Sequence, residues 1–357
     1  MRNLYFSSFL STYRIDLCNH LYTRFSCEIF HYRTEESNCF NEAELMSKAV
    51  FPIHSLEVGQ LFGRPYVKNL RALVERYHPE YVFVLEYSPI TFRLLSLRKR
   101  FGFKLVAFCD DSPDMVEGND ITRLHRLARR LTPRYLDNVI LSSREVAGWY
   151  RRQFSKGVCF PIIQDENRLR GELAAAAGRA AGLREEYGLQ GKKVVLFVGR
   201  LIGVKNLPVF LKACAGLDRE SVVPVIIGDG EERERLERLN QEWNAGVRFL
   251  GVRTGEALMA WYLLADLFVL PSRKEAFGAV VNEALVAGCP ALVSTAAGAA
   301  ELIVPGKNGD VFHPDSEKEL LEKMSEWLLR ASGRELLRQN LMPVLFGPSL
   351  DSMLSAL

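Results

Sequence analysis

The sequence predicts a two-domain α/β protein, each domain a mostly parallel sheet covered by helices. Three observations carry this. Apolar, β-branched runs alternate with amphipathic stretches over most of the chain. The rhythm breaks after Pro161 and restarts near Lys193. The runs are apolar throughout rather than at every second position, the mark of strands buried on both faces. With 357 residues the chain has room for roughly two ordinary domains.

In the first half, strands are expected at Asn3–Phe6, Glu28–Tyr32, Tyr81–Glu86, Lys104–Cys109 and Asn138–Ser142. Helices are expected at Tyr13–Arg24, Gln60–Tyr77, Ser88–Arg100 and Arg144–Phe154. Gln164–Gln190 lacks a strand signal and holds an Ala-rich tract, and reads as a linker followed by a short helix. The second alternation has strands at Lys193–Val198, Val223–Ile227, Val247–Leu250, Leu267–Leu270 and Ala291–Ser294. Its helices are Pro208–Ala215, Glu231–Trp243, Thr254–Ala265, Ala279–Ala287 and Glu317–Ala331. The domains are therefore taken as residues 1–168 and 169–342. A weakly patterned tail, 343–357, is read as packing back on the first domain or lying free.

Composition narrows the class. Hydrophobic residues make up 48% and charged residues 25%, a globular balance. No apolar run approaches the ~20 residues that span a bilayer, and no clean signal-peptide core follows Arg2, so the chain is expected to stay in the compartment that makes it. The 7 cysteines are scattered and never in CxxC spacing, against a zinc site or a disulfide framework. Between Arg93 and Lys156, 14 Lys/Arg face 7 Asp/Glu, with clusters at Arg98-Lys99-Arg100, Arg129-Arg130 and Arg151-Arg152. This is either a solvated helix surface or a cationic face for anionic headgroups or phosphates.

The chemistry concentrates in the second half. A strand ends at Gly199, followed by Arg200 and Lys205. Glycine permits a sharp turn, a guanidinium offers a planar fork to phosphate oxygens, and an ammonium offers a point charge. Together they suit a diphosphate, whose charge as a leaving group they would stabilise. Gly228-Asp229-Gly230 is a tight strand–helix turn and too little of a dinucleotide fingerprint to indicate NAD. The stretch Glu275-Ala276-Phe277-Gly278 precedes a helix expected to start near Gly278 and to carry Glu283. Loop N–H groups and a helix N-terminus favour anions and hydroxyls. Glu283 would lie about 7–8 Å along the axis at ~1.5 Å per residue, and carboxylates accept paired hydrogen bonds from vicinal diols.

This arrangement resembles glycosyltransferase family 4, retaining enzymes of the GT-B fold. The Glu, seven residues, Glu pattern of that family matches Glu275 to Glu283 within a Glu-x-Phe-Gly context. Gly199-Arg200-Leu201, Lys205-Asn206, Gly228-Asp229-Gly230, Phe249-Leu250-Gly251, Gly288-Cys289-Pro290, Gly298-Ala299-Ala300-Glu301 and Asn308-Gly309 follow the family order. The resemblance covers residues ~190–330 well and the first half in outline. It implies two Rossmann-like domains with an interdomain cleft. Arg200 and Lys205 would bind the donor diphosphate. Glu275, with the backbone of Ala276, Phe277 and Gly278, would hold the transferred sugar, and Glu283 the nucleotide ribose. Gly199, Gly228 and Gly230 would line the donor site. No metal and no cofactor are implied, the nucleotide-sugar being a substrate. Asp110-Asp111 lacks the spacing of a metal-binding DxD.

The first domain departs from the family pattern. Phe6-Ser7-Ser8-Phe9-Leu10-Ser11 stands where many members have a glycine-rich loop. Asp110 stands where many have a histidine, and either binds a sugar hydroxyl, as a catalytic-site residue, or caps a turn. None of the 6 histidines sits in a nucleophilic triad motif. The resemblance thus implies a nucleotide-sugar-dependent transferase acting on a glycan or lipid-linked saccharide. It would be cytoplasmic and peripheral on the inner membrane face, with no nucleic-acid partner. The alternative is a non-catalytic scaffold subunit of a glycosylation complex.

Overall fold

The computed structural model describes residues 2–8, 12–32, 47–61, 64–118, 122–330 and 338–357. Two compact units result, Met1–Ile162 with Pro348–Leu357, and Ile163–Gly347.

The first unit is built on β1 (Asn3–Ser7), β2 (Cys27–His31), β3 (His54–Ser55), a hairpin of β4 (Val58–Leu61) and β5 (Arg64–Val67), then β6 (Tyr81–Leu85), β7 (Lys104–Cys109), β8 (Asn138–Leu141) and β9 (Val158–Cys159). Its seven-stranded sheet runs β3-β2-β1-β6-β7-β8-β9, parallel throughout. The apolar strands pair in the centre. Val82, Phe83, Leu105 and Ala107 are fully buried. Local signals set the helix ends. Ser88 and Thr91 form a capping box ahead of Pro89–Phe101, and Gly102 closes it at φ +74°. The Ser143 hydroxyl accepts from Val146 N–H to start Arg144–Phe154.

The second unit holds β10 (Lys193–Val198), β11 (Val222–Ile227), β12 (Arg248–Phe249), β13 (Leu267–Leu270), β14 (Ala291–Ser294) and β15 (Gly309–Phe312). Its order is β12-β11-β10-β13-β14-β15, again all parallel. Val194–Phe197 and Leu267–Leu270 are fully buried, as covered strands require.

Two expectations are corrected. Gln60–Tyr77 is not one helix: Val58–Leu61 and Arg64–Val67 pair antiparallel, and among the described residues of this stretch only Leu70–Tyr77 is helical. Pro65 cannot serve a helix interior, and Val58 and Val67 favour the pleated form. The expected linker after Gln164 is a 21-residue helix, Glu166–Glu186, capped by Asp165. Its alanines are the best helix formers. Leu169, Leu173, Ala176, Ala180 and Leu183 make a buried stripe, and the helix packs against the helix Gly255–Leu264. The tail, read as packing back on the first domain or lying free, contains the helix Phe346–Ser355, with Leu350 and Met353 buried, and Pro348–Leu357 falls within the first unit.

The basic character of the first unit is partly internal. The Arg129 guanidinium is buried and donates Nε to Asp111 Oδ2 at 2.7 Å and Nη2 to Asp111 Oδ1 at 2.6 Å. Tyr150 Oη donates to Asp111 Oδ2 at 2.7 Å. Lys156 Nζ donates to the Pro133 and Arg134 carbonyls at 2.9 and 3.1 Å. Asp111 is thus half of a buried ion pair, and Arg129 adds nothing to a cationic surface.

Candidate functional site

In the second sheet the strand order reverses between β10 and β13. Ligands of open α/β sheets bind beyond the carboxyl ends of the strands at such a point. The residues expected to bind the donor follow β10, its neighbour β11 and β13, or lie on the helix after β13.

Backbone contact fixes the glycines first. A Cβ on Gly228 would lie 1.8 Å from Gly199 O, and one on Gly230 would lie 2.4 Å from Leu201 O. Only glycine lets the exits of β10 and β11 approach this closely. The contact continues the ladder beyond the strands: Gly199 N–H donates to Ile227 O at 3.0 Å and Leu201 N–H to Asp229 O at 2.9 Å. These glycines therefore shape the floor on which Arg200 stands. Arg200 is exposed, and with Ile202, Gly203, Val204 and Glu231 it lines an open hollow. Among the described residues it makes no ion pair.

Lys205 ends the 3-10 turn Gly203–Lys205. The next residue holds that turn against the β13 exit. Asn206, 2% exposed at φ +54°, donates through Nδ2 to the carbonyls of Pro271 (3.2 Å) and Pro314 (2.7 Å). Arg273 N–H donates to Val204 O at 2.9 Å. The result is direct contact between two expected site residues: Lys205 Nζ donates to Glu275 Oε2. Ser272 Oγ reaches the same oxygen at 3.4 Å. The pair is partly sheltered, with side chains 14% and 18% exposed. An ammonium has three donors, so Lys205 can hold Glu275 and still serve an anion.

The loop carrying Glu275 is fixed on its other side. Gly298 N–H donates to Glu275 O at 3.2 Å and Ala299 N–H to Phe277 O at 2.7 Å. The Phe277 ring is buried. Gly278 sits at φ +101°, where a Cβ would also meet Leu270 Cδ2 at 2.6 Å. That conformation is why the helix starts at Val280 rather than near Gly278. Glu283 accordingly lies in its first turn, nearer the helix start than expected. Among the described residues, the N–H groups of Ala276, Phe277 and Gly278 meet no acceptor.

Glu283 is held at both oxygens. Gln164 Nε2 donates to Oε1 at 2.7 Å, and Tyr262 Oη donates to Oε2 at 2.8 Å. Burial and the adjacent Glu283 charge push the Tyr262 hydroxyl well above the ordinary tyrosine range, so it stays a donor. Neither Gln164 nor Tyr262 was marked by the sequence. Tyr262 hides in an apolar helix, and Gln164 is more than a hundred positions from its partner.

The first unit carries its own polar group where its strand order reverses between β1 and β6. Asp110 follows β7 and accepts an ion pair from Arg14, which is buried. Asp110 N–H donates to Glu86 Oε1 at 2.9 Å. Glu86 follows β6 at φ +60°, unusual for a side-chain-bearing residue. Burial, then the charges of Asp111 and Asp110, push its carboxyl well above the usual carboxylate range. Ser7 is buried at the β1 end, while 9–11 of the expected serine loop lie outside the described residues. Among the described residues no group of three or more metal-ligating side chains gathers.

Residues 182–341 match the family model described as glycosyl transferases group 1. The chain is 32% identical over 187 residues to the alpha-D-kanosaminyltransferase of Streptomyces kanamyceticus, covering 51% of this chain and 48% of that one. It is 30% identical over 261 residues to a GDP-mannose-dependent alpha-mannosyltransferase of Mycobacterium tuberculosis, covering 69% and 63%. The chain spans about half the length of the curated relatives it matches. Among solved structures, the UDP complex of Anabaena HepE superposes with a TM-score of 0.76 at 17% identity, covering 100% of this chain and 97% of that one. That likeness speaks for the fold. The chain has the GT-B fold, and its residues 182–341 carry the sequence pattern of the glycosyl transferases group 1 family.

Proposed function

We propose that this chain is a retaining glycosyltransferase of family 4 that moves a sugar from a nucleotide-sugar to a glycan or lipid-linked saccharide. The observation that carries the reading is the Lys205–Glu275 pair beside Arg200 at the β10/β13 exit. It sets a hydroxyl acceptor and anion-binding cations within one small site. Arg200 and Lys205 take the donor diphosphate, Glu275 and the free N–H groups of Ala276–Gly278 take the sugar, and Glu283 takes the ribose. In the reaction the bond between the anomeric carbon and the phosphate oxygen breaks. The acceptor oxygen bonds to that carbon on the same face, and its proton passes to the departing diphosphate. Fixed cations stabilise the charge developing on that diphosphate. Names of relatives and of the UDP-bound neighbour support a nucleotide-linked donor. We assign Asp110, whose carboxylate Arg14 holds, a hydrogen bond to a sugar hydroxyl.

The test is the anomeric configuration of the product, followed by NMR with EDTA present. Retained configuration at unchanged rate is expected, because the cations replace a metal. An inverted product, or loss of turnover on chelation, contradicts the reading.

The same proposal places the protein at the cytoplasmic face of an anionic membrane. The helix Arg123–Leu131 and the turn after it expose Leu127 (53%), Leu131 (42%) and Tyr135 (62%) beside the exposed Arg123, Arg126, Arg130 and Arg134. An apolar ridge flanked by guanidiniums suits the headgroup layer. Among the described residues no helix is long and apolar enough to cross a membrane. Sedimentation with phosphatidylcholine vesicles containing phosphatidylglycerol should carry the protein down at low salt and release it at high salt. Equal recovery with pure phosphatidylcholine removes the membrane from the account.

A further inference from the structure

The sheet of the first unit has two ends. Asp110 follows β7 at the carboxyl end, where ligands of open α/β sheets bind. Lys104 begins β7 and Cys109 ends it, about 17 Å apart at ~3.3 Å per residue. Around Lys104, at the opposite end, lies an open hollow of about 510 Å³, within the roughly 300–1,000 Å³ of small-ligand pockets.

Its walls come from three pieces of chain. The helix Pro89–Phe101 supplies Arg98 and Lys99, the start of β7 supplies Lys104, and the stretch before β8 supplies Tyr135 and Asp137. Cations in a last helical turn answer the helix dipole, which accounts for Arg98 and Lys99 but not for Lys104. Asp137 is already engaged: Oδ1 accepts from Arg98 Nη2, and Oδ2 accepts from Leu105 N–H at 2.7 Å. Lys99 and Lys104 are exposed, and among the described residues neither makes an ion pair. Lys104 Nζ donates to Tyr81 Oη at 2.7 Å, which orients an ammonium that has three donors. The rim is pinned. Arg98 Nη1 donates to Tyr135 O, and Lys156 Nζ donates to the carbonyls on either side, Arg134 and Leu136. The Tyr135 side chain therefore stands out, 62% exposed, on a held backbone.

We propose that this hollow binds the phosphate of an anionic phospholipid headgroup through Lys99 and Lys104, with the Tyr135 ring at the headgroup level. The proposal rests on the membrane reading above and gives that surface a specific lipid site. A soluble phosphate ester shares the chemistry. The lipid is favoured because the turn Thr132–Tyr135 joins the hollow to the exposed Leu127 and Leu131, and a tyrosine's apolar ring and polar tip suit the membrane interface.

The experiment measures binding of wild type, Lys99→Ala/Lys104→Ala and Arg123→Ala/Arg130→Ala to phosphatidylcholine vesicles with and without phosphatidylglycerol. It is run at about 0.15 M salt, where the Debye length is ~8 Å, and inorganic phosphate is titrated in parallel by calorimetry. Both double variants lose the same charge, and direct contact with a headgroup outlasts diffuse attraction under screening. The lysine variant should bind phosphatidylglycerol vesicles at least about tenfold more weakly than wild type, and the arginine variant within about threefold of it. Lys99→Ala/Lys104→Gln keeps a donor to Tyr81 and serves if the alanine pair does not fold. Equal losses in the two variants overturn the headgroup site and leave the membrane reading standing. Phosphate binding that the lysine variant loses while its vesicle binding is unchanged overturns the lipid in favour of a soluble ester. A folded wild type that ignores phosphatidylglycerol vesicles even at low salt overturns the membrane reading and this proposal with it.

Discussion

Glu275→Ala is expected to lower sugar transfer by about 10²–10³ or more, the cost of losing a fixed group that acts on the reacting sugar. Glu275 occupies the exit of β13, where a loop pinned by Phe277 and Gly278 leaves it little freedom. Its loss has two parts. On the proposed reading the sugar hydroxyls lose their acceptor, and Lys205 loses the partner it contacts. The second part costs less in stability than breaking a deeply buried pair, because both side chains retain some contact with water. Folding should therefore survive, read as an unchanged circular dichroism spectrum with a modest fall in melting temperature. Glu275→Gln keeps the shape and a hydrogen bond to Lys205, and should recover part of the activity. Wild-type turnover in folded Glu275→Ala would show that the sugar lies elsewhere.

Arg129→Ala is expected to destabilise the first unit by about 3–5 kcal/mol, the range for leaving one member of a buried ion pair unpaired. Arg129 and Asp111 side chains are 5% and 4% exposed. Asp111 would keep the Tyr150 hydroxyl but lose both guanidinium bonds. The double variant Asp111→Leu/Arg129→Met removes both charges and should recover much of the loss. Urea unfolding, with the midpoint taken for each transition because two units need not unfold together, measures the shift. A loss below about 1 kcal/mol in Arg129→Ala, the scale of an exposed pair, would mean the pair is solvated.

The sheets were legible because their strands are apolar on both faces. Lys104–Cys109, Lys193–Val198, Leu267–Leu270 and Ala291–Ser294 stand where the apolar runs end. Elements with diluted patterns escaped. β15, Gly309–Phe312, contains only Val311 and Phe312 as apolar residues, and β9 is two residues long. The helix Glu166–Glu186 contains Gly171, Gly178 and Gly182, which mask the strength of its alanines.

At the site, residue types were legible and partnerships were not. Glu275 and Lys205 each stood out by chemistry and order, yet their contact depends on Asn206 and the Pro271 carbonyl, which no local pattern announces. Charge counting over Arg93–Lys156 treated Arg129 as surface, because burial of a cation depends on a carboxylate 18 positions earlier in the chain. The upward push on the Glu86 carboxyl is likewise a product of packing, not of its neighbours in sequence.

The central claim is that the second unit binds a nucleotide-sugar through Glu283 and its surroundings. Calorimetric titration of UDP-, GDP-, ADP- and dTDP-sugars into the protein without added metal, alongside Glu283→Ala, tests it most directly. The account predicts that one donor class binds wild type and is lost in the variant. A folded wild-type protein that binds none of them would contradict it, and would leave a non-catalytic subunit that needs a protein partner.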